Sequence, residues 1–175
     1  MTADVAALAW PTEGERPQAH TGWEPERCLV GAVLHLDVEQ TRPLLDLVRD
    51  DDLADPLARI AWALIRELVS TGHPADPSTV TAQAQRTGVH GTPHNLDRFG
   101  YYLTTAFTAV PVPSNAPEYA RAVLDDSYRR GWRRFGERLV EHAGTASRDD
   151  LEELAAAERT ALLELRSRLT RSEGT

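Results

Sequence analysis

His90 and His94 stand four residues apart, a separation that on one helix would set two imidazoles side by side for a metal ion. Gly91 and Pro93 between them oppose such a helix, and no carboxylate helix of matching spacing accompanies them. The stretch 89-VHGTPHN-95 is therefore expected to be an exposed loop. Asp50, Asp51 and Asp52 could begin a cation site only with further oxygen ligands; solvated charge at a helix junction, with one residue as a cap, is the expectation. Cys28, the only cysteine, lies among Leu29, Val30 and Val33 and reads as a small core residue. One cysteine leaves no internal disulfide and no thiolate zinc cluster. Ser, His and Asp occur, but in no G-x-S-x-G turn or comparable arrangement. No catalytic, cofactor-binding or metal-ligating set is expected, and the chain is not expected to be an enzyme.

The stretch 127-SYRRGWRRFGERL-139 carries the densest charge. On a helix Arg130, Arg134 and Arg138 line one edge and Arg129 and Arg133 the next, beside an apolar stripe of Tyr128, Trp132, Phe135 and Leu139. Asp125, Asp126, Glu137 and Glu141 answer part of that charge within the same segment, and the following segment is acidic. Three readings stay open: two mutually attracting helical arms with an aromatic packing stripe, an acidic protein partner, or single-stranded nucleic acid held by stacking and backbone contact. All nineteen basic residues are arginine, and the net charge is −8. An acidic chain is repelled by a polyanion, so nucleic-acid contact needs a local patch. Without lysine there is no G-x-x-x-x-G-K-[ST] phosphate loop, which excludes a conventional nucleotide-hydrolysing motor.

The elements that must position these residues are helical. Residues 1–22 hold Pro11, Gly14, Pro17 and Gly22 without an apolar period and read as a mobile tail, as do 171–175. From Trp23 the apolar spacing is that of helices: Leu29 to Leu36, Leu44 to Val48, then Ile60 to Leu68. Asp55-Pro56 and Asp76-Pro77 are helix starts; Gly72 and Gly88 are stops. A fifth helix is expected over 99-FGYYLTTAF-107. Asn115 with Glu118 forms a capping-box pattern opening a helix to about His142, roughly 40 Å long at 1.5 Å per residue. Ser147 with Asp150 opens a last helix striped by Leu151, Ala155, Leu162, Leu165 and Leu169, which Glu158 interrupts. The expected fold is all-α: a compact head of short helices (23–112) followed by a long antiparallel helical hairpin (113–170). No stretch of about 18 apolar residues offers a membrane span and no basic leader precedes the first apolar run, so the chain is placed in the cytoplasm.

Three stretches resemble, in order and spacing, the N-terminal domain of DnaB-type replicative helicases. In 24-EPERCLVGAVL-34 a Glu-x-Glu pair, Glu24 and Glu26, precedes a glycine, Gly31, set in an apolar run. The segment 52-DLADPLARIAWALIRELVSTGHPADPSTV-80 is similar to that family's Asp-Pro start, amphipathic helix and Gly-x-Pro turn. The third, 111-PVPSNAPEYARAV-123, resembles its Pro-x-x-x-Asn turn and Tyr-Ala-Arg helix start. Leu53 and Ala54 stand where aromatics are usual, Ala58 where histidine is common and Arg27 where glutamine is. These departures are expected to alter a contact surface and spare the head.

The resemblance covers about residues 22–140 and implies a free-standing collar domain without the RecA-like ATPase. Its implied role is a non-catalytic protein-interaction module of DNA replication. Implied partners are itself, as a homodimer through the hairpin, and a replicative helicase, primase or loader. The interface would comprise Tyr128, Trp132, Phe135, Leu139, Leu151, Leu162 and Leu165. Nucleic acid on Arg129, Arg130, Arg133, Arg134 and Arg138, or a remnant fragment without its own activity, are the alternatives.

Overall fold

Seven α-helices make up most of residues 24–172, the part of the chain that the computed structural model describes. They are α1 Pro25–Val33, α2 Val38–Leu47, α3 Pro56–Ser70, α4 Pro77–Thr87, α5 Pro93–Ala109, α6 Ala116–His142 and α7 Arg148–Ser172, with 3-10 turns at Asp50–Asp52 and Pro113–Asn115. There is no strand among the described residues, as the apolar spacing predicts. The reading of 1–22 falls outside the described residues, whereas Arg171 and Ser172 lie in α7. The chain divides into two compact units at Ala120/Arg121, inside α6.

In the first unit α3 is the central helix: ten of its 15 residues are buried, so it has almost no solvent face. Asp55 caps its start by accepting from Leu57 N at 2.9 Å, and Pro56 occupies the first turn, where no N–H is missed. Polar side chains of α3 satisfy the irregular segment beside it. Trp62 Nε1 donates to Val48 O at 3.0 Å, and Arg66 donates to Leu45 O and Val48 O at 2.8 and 3.0 Å and pairs with Asp50 at 3.2 Å. Arg59 donates to Leu53 O at 2.7 Å. Asp52 accepts from Arg49 N at 2.8 Å. The acidic triplet thus holds the expected cap at a helix junction, but it is not the expected solvated charge: Asp52 is buried and Asp50 is paired with Arg66, and only Asp51 is exposed.

Glycine decides how α1 meets α5. A Cβ at Gly31 would lie 2.2 Å from Ala106 O, so the two backbones touch where any larger residue would collide. On either side of that contact Arg27 donates to Thr105 Oγ1 at 2.6 Å, and the His35 ring stacks on Phe107 at 3.7 Å while donating to its carbonyl. Glu26 reaches from α1 to the start of α3, accepting from Ala54 N and Asp55 N, both at 2.8 Å.

Several local expectations are corrected. α5 starts at Pro93, six residues before the expected Phe99, because Thr92 caps it through Asn95 N at 3.3 Å and Pro93 serves as a first-turn residue. In place of an Asn115 capping box, α6 opens through the 3-10 turn at Pro113–Asn115. α2 keeps Pro43 in its interior and is opened by an unforeseen capping box of Asp37 with Gln40. Cys28 is half-buried, and burial pushes its thiol pKa up. Leu53 and Ala58 are fully buried, so these two departures repack the core and change no contact surface.

Gly31→Ala is expected to lower stability by about 3 kcal/mol or to prevent folding, since backbone atoms cannot rotate away; chemical denaturation measures it. Burial raises the Asp55 pKa, outweighing the Leu57 N–H that favours its charged form. A native pKa above the unfolded one means that the native state holds the proton more tightly. The contribution of Asp55 to stability therefore grows as pH falls through the native value and is absent above it. Asp55→Asn, which keeps the cap acceptor, should raise the melting temperature relative to the parent at about pH 8 and lose that advantage near about pH 4.

Candidate interaction surface

The second unit holds the rest of α6 and α7. Ser147 and Asp150 open α7 with reciprocal bonds: Ser147 Oγ accepts from Asp150 N at 3.2 Å, and Asp150 accepts from Ser147 N at 3.3 Å. The arms run antiparallel, because Gly131 meets Leu162 while Arg138, further along α6, pairs with Glu158, earlier on α7. A Cβ at Gly131 would sit 2.8 Å from Leu162 Cδ2, so this glycine admits the leucine. Glu158, which interrupts the leucine stripe, is the partner of Arg138.

The expected interface residues separate into two groups. Leu162 and Leu165 are buried, and Leu151, Tyr128, Phe135 and Leu139 are half-buried. Trp132 is different: it remains 49 % exposed, although its ring packs edge-on to Tyr128 at 6.2 Å and tilted on Phe135 at 5.9 Å. The arginines divide as well. Arg129 pairs with Asp125 at 2.8 Å, Arg138 pairs with Glu158, and Arg130 is half-buried. Arg133 and Arg134 are exposed, with no ion pair to a described residue.

Val140, at 81 % exposure, and Leu163, at 53 %, are large apolar residues that the stripe analysis did not single out. The four-residue spacing of Trp132, Gly136 and Val140 is the signal that finds the first. Buried Arg168 on α7 was also missed, since an arginine in a leucine stripe reads as solvated charge. His90 sits in the turn after α4, its Nδ1 on Ala84 O at 3.1 Å, and His94 in the first turn of α5, so the two do not share a helix. Among the described residues no cluster of three or more His, Cys, Asp or Glu could hold a metal ion, and no helix is long and apolar enough to cross a membrane.

This all-helical head and hairpin define a class of non-catalytic helicase domain. The chain belongs to the DnaB-like helicase N terminal domain family, whose model matches residues 18–125. It is 29 % identical over 134 residues to the replicative DNA helicase DnaB of Mycobacterium leprae, covering 75 % of this chain and 21 % of that protein. The chain thus spans about a fifth of the length of that curated relative. It superposes on the crystal structure of the N-terminal domain of DnaB helicase from Mycobacterium tuberculosis with a TM-score of 0.68 at 26 % identity, covering 79 % of this chain and 94 % of that one. The family, the relative and the solved domain agree with the sequence resemblance; the match to the helicase is to its N-terminal domain and not to its ATPase.

The two groups of aromatics predict opposite readouts. Phe135→Ala should lower stability by about 2 kcal/mol in thermal or chemical unfolding and leave stoichiometry unchanged. Trp132→Ala should leave the melting temperature nearly unchanged and weaken any association of the hairpin by about 2 kcal/mol in equilibrium sedimentation.

Proposed function

We propose that this chain is a protein-interaction module of DNA replication, which pairs through its hairpin with a second hairpin and engages a replicative helicase, primase or loader. The observation that carries the reading is the hairpin surface, where Trp132, Val140 and Leu163 lie open to solvent beside charged side chains. Half-exposed aromatics with arginine neighbours are the residues that anchor protein contacts. Family membership supports a role beside the helicase, acting as adaptor or modulator and without nucleotide hydrolysis of its own. Arg133 and Arg134, exposed beside Trp132, support a second reading, a weak single-strand contact.

Affinity purification of the tagged chain from its own host, with nuclease treatment and mass spectrometry, separates the two. Recovery of helicase or primase that survives nuclease is the expected result. Partners that vanish with nuclease would favour nucleic acid, and recovery of no replication protein would refute the adaptor role.

A further inference from the structure

Two buried polar atoms lie where α1, the start of α3 and α5 converge, and neither has a hydrogen-bond partner among the described residues: the Tyr102 hydroxyl and Nε of Arg27. Tyr102 is only 8 % exposed, and the guanidinium carbon of Arg27 lies 6.0 Å from the centre of its ring. Neither side chain can turn away in search of a partner. Arg27 is pinned through Nη2, which donates to Thr105 Oγ1 at 2.6 Å, and that hydroxyl donates in turn to Tyr101 O at 2.8 Å. The Tyr102 hydroxyl is enclosed among Asp55, Glu26, Arg27 and Glu24, the charged groups that act on it. Native proteins pair nearly all their buried polar atoms, and use ordered water where no protein group is within reach.

The charges around these two atoms decide what can serve both. Asp55, Glu26 and Glu24 repel an anion from the junction, whereas a cation, although drawn by them, cannot accept from the Arg27 Nε–H. Water does what neither ion can: it accepts from N–H and O–H donors and donates to carboxylates. The side chains of Arg27 and Glu24, 36 % and 29 % exposed, open the junction to solvent on one side. We infer that water enters beside Arg27 and is held between Arg27 Nε and the Tyr102 hydroxyl, joining α1 to α5 on the side that faces Asp55. The junction is therefore a hydration site assembled from three helices. It gives the Tyr102 hydroxyl a structural role that a phenylalanine of the same shape cannot fill.

The sign of one substitution tests this. In a dry junction an unpaired hydroxyl is better removed, so Tyr102→Phe would melt at or above the temperature of the parent; with water bound it should melt about 3 °C lower or more. NMR of the isotope-labelled full chain supplies a second readout. A rotating-frame cross-peak between water and the Arg27 Nε–H is expected in the parent and should be lost in Tyr102→Phe. A variant that melts no lower than the parent overturns the inference. So does a parent chain without the cross-peak, which decides the matter alone should Tyr102→Phe fail to fold.

Discussion

The contact between the backbones of α1 and α5 at Gly31 is the constraint on which the rest of the head depends. With Ala106 O 2.2 Å from where a Cβ would be, the two helices sit at a distance that only hydrogen at position 31 allows. At that spacing Arg27 reaches Thr105 and His35 stacks on Phe107, so polar and aromatic contacts fasten α1 on both sides of the glycine. α1 in turn places Glu26 against the start of α3, where its two carboxylate oxygens accept separate backbone N–H groups. Widening the contact by one methyl would displace Arg27 and Glu26 together, because both are carried on the same two turns of helix.

A second constraint comes from the depth at which α3 lies. The segment joining α2 to α3 carries carbonyls that no helix ladder satisfies, and those of Leu45, Val48 and Leu53 accept from Arg66, Trp62 and Arg59 of α3. Arginine suits this use. Its planar fork offers five N–H groups, so Arg66 alone serves two carbonyls and Asp50, which a lysine ammonium would do less well. Tyr102 is the contrasting case, a buried side chain whose hydroxyl has no hydrogen-bond partner among the described residues and whose pKa burial raises well above the usual phenol value.

Helix order and type were legible because apolar spacing, Asp-Pro starts and glycine stops agree along the chain, and the family motifs quoted from Glu24, Asp55 and Asn115 follow the same elements. Boundaries were less legible. Proline at position 93 reads as a breaker, yet it is favourable once Thr92 supplies the cap, so the start of α5 was placed too late. The division of the aromatic stripe was hidden for another reason. Helical phase puts Trp132 only a fraction of a turn from Phe135, and which of the two is covered depends on where α7 crosses, a point set by Gly131 admitting Leu162. Glu158 looked like a flaw in the leucine stripe because its partner, Arg138, lies 20 residues away in sequence.

Burial differs sharply between the two units. α3 hides ten of 15 residues, whereas α7, with 25, hides only Leu162, Leu165 and Arg168. α7, and α6 beyond Gly131, bury so little that their order comes from propensity and side-chain pairs such as Arg138–Glu158, worth only fractions of a kcal/mol at the surface. Interior glycines at 131 and 136 subtract from that propensity. Gly131 admits Leu162, whereas a Cβ at Gly136 would meet nothing within 4 Å among the described residues. The buried residues of α6 thus end at Gly131, and beyond it the helix rests on propensity, which Gly136 lowers.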